Sequence, residues 1–270
     1  MSPVDNFRKI TDYGLSFSNR YMNWKRFYSI KDILRRELKR RDCQGEIRIL
    51  DIGCWDGRLI YQLKEEFGRQ FNIKLFGVDI SALDISSAQR KKLNLNIDGC
   101  YFFIMDALNL GFFPGGFDIV VSSELIEHIA EPELVIRQVY QVLKPDGVFI
   151  LTTPNKGGGI LAKFFRRLRL KKDSPVFGGN VKTENAVVSG IGNSHISVKT
   201  RRQWISIFKE EGFKIIYSGG TGGLLFGCPY LDSHRVIFAL NVLLDVILEN
   251  LAFSHLWSEI LLFKLKKRDA

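Results

Sequence analysis

Short apolar runs that contain or end in an acid recur along the first 155 residues, and most are followed by a stretch whose apolar positions repeat at helical spacing. Ile47 to Ile52 is brief, largely apolar and rich in β-branched residues, as a buried parallel strand should be. Arg58 to Phe67 carries apolar residues at Leu59, Ile60, Leu63 and Phe67, the spacing of a helix. A second run, Leu75 to Asp79, precedes a helix predicted from Ser81 through Lys91. A third, Tyr101 to Ala107, has Asp106 near its end, and a fourth begins at Phe117. Leu143 to Asn155 reads as a helix end, a turn and a fifth strand. In that turn Pro145 presets φ and Gly147 supplies conformational freedom. A helix from Thr200 to Glu211 and an apolar run from Ser258 to Lys266 complete the pattern, which predicts one large α/β domain.

The stretch Ile49-Leu50-Asp51-Ile52-Gly53-Cys54-Trp55-Asp56-Gly57-Arg58-Leu59 is a strand, a glycine turn and a helix start. A helix N-terminus offers free N–H groups to an anionic end of a ligand, and glycine lets that ligand approach the backbone. The nicotinamide fingerprint needs G-x-G-x-x-G, whereas Gly53 and Gly57 are spaced G-x-x-x-G and Trp55 stands where the second glycine belongs. A phosphate-binding P-loop is excluded as well, because no Gly-Lys-Ser/Thr follows the turn.

These residues resemble motif I of the class I S-adenosylmethionine-dependent methyltransferases. The likeness extends in order through Asp79, Asp106, the segment Phe117 to Ile129 and the segment Leu143 to Asn155. It covers about Glu46 to Asn155 and returns weakly at Thr200 to Tyr217 and Glu259 to Lys266. It implies a Rossmann-like seven-stranded, mostly parallel sheet with helices on both faces and an antiparallel last strand that closes the sheet. It also implies a cofactor, S-adenosylmethionine. Asp51 and Gly53, with Trp55 in the turn, would hold its methionine end, and Gly57 would permit close approach. Asp79 with Ile80 would bind ribose, Asp106 with Ala107 would frame adenine, and Ser122 would lie beside the cofactor at the end of the fourth strand.

Composition narrows the picture. The chain has 270 residues, 46% hydrophobic and 25% charged, enough for a substantial core. Residues 1–44 read as a helical cap and 45–270 as the methyltransferase domain, with 156–199 an inserted basic lid and 224–257 a helical insertion before the last strand. Cys43, Cys54, Cys100 and Cys228 lack metal-cage or disulfide spacing, and Met1 to Tyr13 has no continuous apolar segment, so a reducing, cytoplasmic location is expected. Val236 to Leu251 is interrupted by Asn241, Asp245 and Glu249, too polar to span a bilayer.

The net charge of +10 suggests an anionic partner. Residues 160–172 place Ile160, Leu161, Phe164, Phe165 and Leu168 on one helical face and cations elsewhere, which suits a lid helix or peripheral contact with anionic membrane. Nucleic acid is disfavoured as a substrate. Base-modifying N-methyltransferases resemble one another in an Asn/Asp-Pro-Pro-aromatic motif, and here that place reads Ser122-Ser123-Glu124-Leu125.

The implied chemistry requires an acceptor held in line and, for a hydroxyl, a base. His128 is the candidate base, with Glu127 orienting it or serving instead, and His195 a further histidine able to reach the acceptor. Glu124, Glu127 and His128 resemble the E-x-x-E-H segment of ubiquinone-pathway O-methyltransferases, implicated there in divalent metal binding. On a helix the three would share a face, but the reading assigns the site no metal. Tyr13, Phe17, Tyr21, Trp24 and Tyr28 lie at near-helical spacing and are expected over the cofactor pocket, with Tyr13 or Tyr21 touching ligand. The expected activity is O-methylation of a small-molecule, saccharide or lipid-linked acceptor; RNA methylation and a non-catalytic cofactor-binding role are the alternatives.

Overall fold

In the computed structural model the described residues are 17–41, 45–156, 195–221, 254–256 and 258–268, with isolated positions at 240, 242, 243 and 247. The basic helix 160–172, most of 224–257, nearly all of the expected lid and Tyr13 lie outside them. Helix α1 (Phe17–Arg41) leads into β1 (Ile47–Ile52), α2 (Arg58–Phe67), β2 (Ile73–Asp79), α3 (Ala82–Asn94) and β3 (Cys100–Ile104). Then come β4 (Phe117–Ser123), a single 3-10 turn (Ile126–His128), α4 (Pro132–Val142), β5 (Leu143–Pro154), α5 (Arg201–Glu210), β6 (Phe213–Thr221) and β7 (Ile260–Lys267).

The seven strands form one sheet in the order β3-β2-β1-β4-β5-β7-β6. Six run parallel, and β7 pairs antiparallel with both β5 and β6. The last strand therefore does not close the sheet as expected; it fills the interior place between β5 and β6, and β6 is the edge. The sequence of β7 suits that place, since Ile260, Leu261, Phe263 and Leu265 are nearly or fully buried. At the opposite edge β3 stops at Ile104, three residues short of the expected run, because Asp106 and Ala107 belong to a turn.

Helices cover both faces. On one, Ile30, Leu34 and Leu38 of α1, Leu59, Ile60 and Leu63 of α2 and Ile85 and Ala88 of α3 pack on Ile49, Leu75, Ile119 and Ile150. On the other, Val135, Ile136 and Val139 of α4 and Trp204 and Phe208 of α5 pack on Leu50, Val120, Phe149 and Phe263. Adjacent strand residues thus face opposite layers, the alternation a doubly covered sheet requires. Burying a side chain of this size contributes roughly 1.5–3 kcal/mol.

The expected turn before the fifth strand does not form: β5 begins at Leu143, directly after α4, and includes Pro145 and Gly147. Gly147 does not carry a positive φ; it is required by space, because a Cβ there would meet Leu143 Cδ2 at 2.5 Å and the Lys144 carbonyl at 2.9 Å. Beside the start of β5 Arg41, fully buried, anchors α1 to the sheet. Its guanidinium lies 2.9 Å from Asp146 Oδ2, 3.5 Å from Asp118 Oδ1 and 3.8 Å from Glu37 Oε2, and it also reaches the Asp146 carbonyl. Lys144 shares Asp118, and Lys264 shares Glu37. Among the described residues no helix is long and apolar enough to cross a membrane.

Arg41→Leu should lower the stability of the chain by about 3 kcal/mol, because it leaves buried carboxylates only partly compensated. Urea denaturation checks this, and a loss under about 0.5 kcal/mol, the size of an ordinary surface effect, would remove Arg41 as the anchor of α1.

Candidate cofactor and acceptor site

At the carboxyl end of β1 the chain reverses through three left-handed residues, Gly53 (φ 74°), Trp55 (φ 50°) and Gly57 (φ 78°). The amides of Gly53 and Cys54 both donate to the Val78 carbonyl, at 2.9 and 3.0 Å. Trp55 N donates to Asp79 Oδ2 at 3.0 Å and Ser81 N to Asp79 Oδ1 at 2.9 Å, so one carboxylate pins the turn to the end of β2. A Cβ on Gly57 would meet the Phe102 ring at 2.8 Å and the Tyr61 ring at 3.0 Å, and one on Gly53 would press on Leu125 at 3.1 Å. No side chain caps the N-terminus of α2, which leaves its first N–H groups for a ligand. The Trp55 indole is 57% exposed over this turn, with the Arg58 guanidinium 5.1 Å from the ring centre. A bulky residue at positive φ costs of order 1 kcal/mol or more and is characteristic of functional turns.

Acids crowd the same strand ends. Asp51 is buried in β1, and its carboxyl is pushed up to about 7, first by burial and then by Asp79, against the opposing charge of Arg26. Glu124, at φ 55°, is raised by burial, while the Arg26 guanidinium 3.8 Å away pulls the other way. Glu127 is fully buried and is raised well above the usual carboxylate range by burial and by Glu124; its Oε2 accepts from Thr153 Oγ1 at 3.2 Å. Among the described residues the buried oxygen of Ser122 has no hydrogen-bond partner, and Glu124 has only the nearby Thr152 hydroxyl to lower its carboxyl besides Arg26. Three carboxylates, those of Asp51, Glu124 and Glu127, therefore share the guanidinium of Arg26 among the described residues, an imbalance that a cationic ligand would relieve.

Past β4 the segment is not helical at Glu124. The 3-10 turn begins only at Ile126, and Glu124 sits before it with its side chain turned to Arg26, so Glu124, Glu127 and His128 do not share a helical face. His195 stands with the other two instead. The ligating atoms of Glu127, His128 and His195 all lie within 4.8 Å of one another, a donor set of a kind able to hold a divalent cation. His128 Nε2 is 4.0 Å from Glu127 Oε1, and the two imidazole rings meet edge to face at 4.8 Å. The amides of Ile196 and Ser197 each donate to the Glu127 carbonyl at 2.9 Å and so fix His195 in place. Burial and the neighbouring His128 push the His195 imidazole down, toward the neutral form that accepts a proton.

The remaining expected residues are spread around these ends. Ile80 is 51% exposed just after Asp79. Asp106 is exposed and accepts from Leu108 N at 2.9 Å, closing its own turn, with Ala107 half-buried beside it. Tyr21 is buried against Trp24, Met22 and Ile260, a core position and not the ligand contact expected of it. Two residues escaped the sequence reading. Arg26 is a cation within an aromatic stretch and reaches Glu124 only because α1 crosses the strand ends; Thr153, inside a buried strand, gives no sign of its bond to Glu127.

A family model described as a methyltransferase domain matches residues 44–212. A ubiquinone biosynthesis O-methyltransferase of Pseudomonas entomophila is 30% identical over 109 residues, 40% of this chain and 45% of that protein. Phosphoethanolamine N-methyltransferase 2 of Caenorhabditis elegans is 32% identical over 111 residues, 41% of this chain and 24% of that protein. The matched stretch thus spans less than half the length of these relatives. In fold the chain is similar to the PH0226 protein of Pyrococcus horikoshii, with a TM-score of 0.58 and 18% identity, covering 98% of this chain and 99% of that one.

The raised Asp51 gives a stability prediction whose sign is fixed. The folded state keeps the proton up to about pH 7 and the unfolded chain releases it near 3.8, so this group lowers stability as pH rises between those values. Without cofactor, Asp51→Asn should be more stable than the native chain at alkaline pH, by on the order of 2–4 kcal/mol, with the difference gone in acid. Denaturation curves against pH read this, and a gain that did not vary with pH would remove ionisation as its cause.

Proposed function

The chain belongs to the class I S-adenosylmethionine-dependent methyltransferases, and we propose that it methylates an oxygen of a small-molecule, saccharide or lipid-linked acceptor. The observation that carries this reading is the pairing of an acid cluster at the strand ends beside the Gly53–Gly57 turn with an imidazole pair after β4. Family membership fixes the cofactor, and the residues present fit it: a turn whose two left-handed glycines have no room for a Cβ against Leu125, Phe102 and Tyr61, an α2 N-terminus without a side-chain cap, and a surplus of buried carboxylate suited to an ammonium and a sulfonium. Bound there, S-adenosylmethionine supplies a methyl group already activated by positive sulfur.

In this reading Asp51 and Gly53 hold the methionine end, with Ser122 beside it, and Trp55 covers the turn that Gly57 opens. Asp79 binds the ribose next to Ile80, and Asp106 with Ala107 frames the adenine. Arg26, by answering Glu124, keeps the acid cluster from repelling itself. His128 takes the acceptor's proton as the oxygen–carbon bond forms, Glu127 orients that imidazole, and His195 lines the acceptor's approach. Transfer to an amine is the second reading; the buried pair Glu124 and Glu127 favours it, because carboxylates stabilise a cationic nitrogen. A cytoplasmic enzyme in peripheral contact with anionic membrane through 160–172 belongs to the same proposal and rests on the sequence.

Two variants test the assignment. Asp79→Ala should weaken cofactor binding at least tenfold, about 1.4 kcal/mol, and unchanged affinity in calorimetry would sink the ribose role. His128→Gln should lower kcat by roughly 10²–10⁴-fold with cofactor affinity unchanged; full turnover in the variant would transfer the base to another group.

A further inference from the structure

We infer that the cleft between the end of β5 and the start of α5 binds an anionic group, a phosphate or carboxylate, carried by the acceptor. This rests on the methyl-transfer reading above and deepens it by naming the acceptor's chemistry. The cleft has a volume of about 410 Å³, is lined by Lys156, Lys199, Ser197, Ser206, Gln203 and Ile196 among others, and among the described residues has no acid in its wall. That volume suits a small-molecule site.

Its charge is built from side chains. Lys156 is exposed, and among the described residues no acid lies within ion-pair distance of its ammonium group. Lys199 donates to Ser197 Oγ at 3.2 Å and lies over the Trp204 ring, with Glu133 4.0 Å away as the one acid that faces it among the described residues. That contact partly answers Lys199 and leaves the cleft positive. The first turn of α5 adds Arg201, held by Ser218, and the exposed Arg202, and it contains no acid. The helix end itself is closed by the Thr200–Gln203 capping box, so a ligand would be held by the lysines and not by free backbone amides.

Position links the cleft to the reaction. Ile196 lines it and follows His195 directly, and the amides of Ile196 and Ser197 are bonded to the Glu127 carbonyl. Neither His128 nor His195 lines the cleft, so an anion held at Lys156 and Lys199 would be tied to the imidazole pair through the segment 195–199 that the two sites share. Lysine suits this task as a mobile point charge that follows a phosphate or carboxylate through small rearrangements. Anchored there, an acceptor could present its reacting atom to His128, and orientation of this kind is a large part of what a transferase must supply.

The test uses the full chain with two probes, glycerol 1-phosphate and vesicles containing phosphatidylglycerol, against the native protein and the double variant Lys156→Ala, Lys199→Gln. We expect saturable binding of glycerol 1-phosphate that the double variant weakens at least tenfold, with cofactor affinity unchanged. Binding of the vesicles alone, lost in the variant, would assign the same cleft to a lipid headgroup on a membrane-borne acceptor. If neither probe binds the native chain, or the variant binds as tightly as the native chain, the inference is overturned. Cofactor titration of the native protein is a separate reading, so failure of the methyltransferase assignment would show there and not in the anion titration.

Discussion

The carboxylate of Asp79 takes two backbone amides, one from the turn after β1 and one from the start of α3, and this knot at the end of β2 decides the shape of everything around it. It holds Trp55 in a left-handed conformation and brings the Gly53–Gly57 turn against the end of β2. The same end of the sheet gathers Asp51, Glu124 and Glu127, with the guanidinium of Arg26 as counter-charge. Such an arrangement is poor for the stability of the empty protein, because buried acids must either take up protons or repel one another. It is well made for a ligand that brings positive charge. Stability and function pull apart at these few positions, while Arg41 and the two apolar layers keep the fold together elsewhere.

Much of this was legible in the sequence because it depends on periodicity and on glycine. The strand at Ile47, the helix at Arg58 and the acid-terminated run at Leu75 each lie where the pattern put them, since buried parallel strands and amphipathic helices leave a local signature. What could not be read depends on contacts between segments far apart in the chain. Arg26 meets Glu124 across almost a hundred residues, and His195 meets His128 only because two amides bond to the Glu127 carbonyl.

Where the reading failed, a longer-range or stereochemical constraint prevailed. Glu124 would share a face with Glu127 and His128 only if the segment were helical, yet the chain must first turn out of β4, and the left-handed residue that achieves this is Glu124 itself. Gly147 was expected for its freedom in φ and is needed instead for the closeness of Leu143. The last strand was expected to close the sheet; its pairing with both β5 and β6 gives it an interior place, and its buried apolar positions agree with that. Tyr21 was expected at a ligand, yet α1 turns that ring into the core.

The central claim is that the acid cluster at the ends of β1, β2 and β4 selects a cationic cofactor, and calorimetric titration with S-adenosylmethionine beside NADH tests it most directly. The account predicts micromolar binding of S-adenosylmethionine and none of NADH. It also predicts weaker binding of S-adenosylmethionine below about pH 7 than above it, because a protonated Asp51 can no longer answer the ligand's charge. Equal binding of NADH, or binding of S-adenosylmethionine that ignores pH across that value, would contradict it.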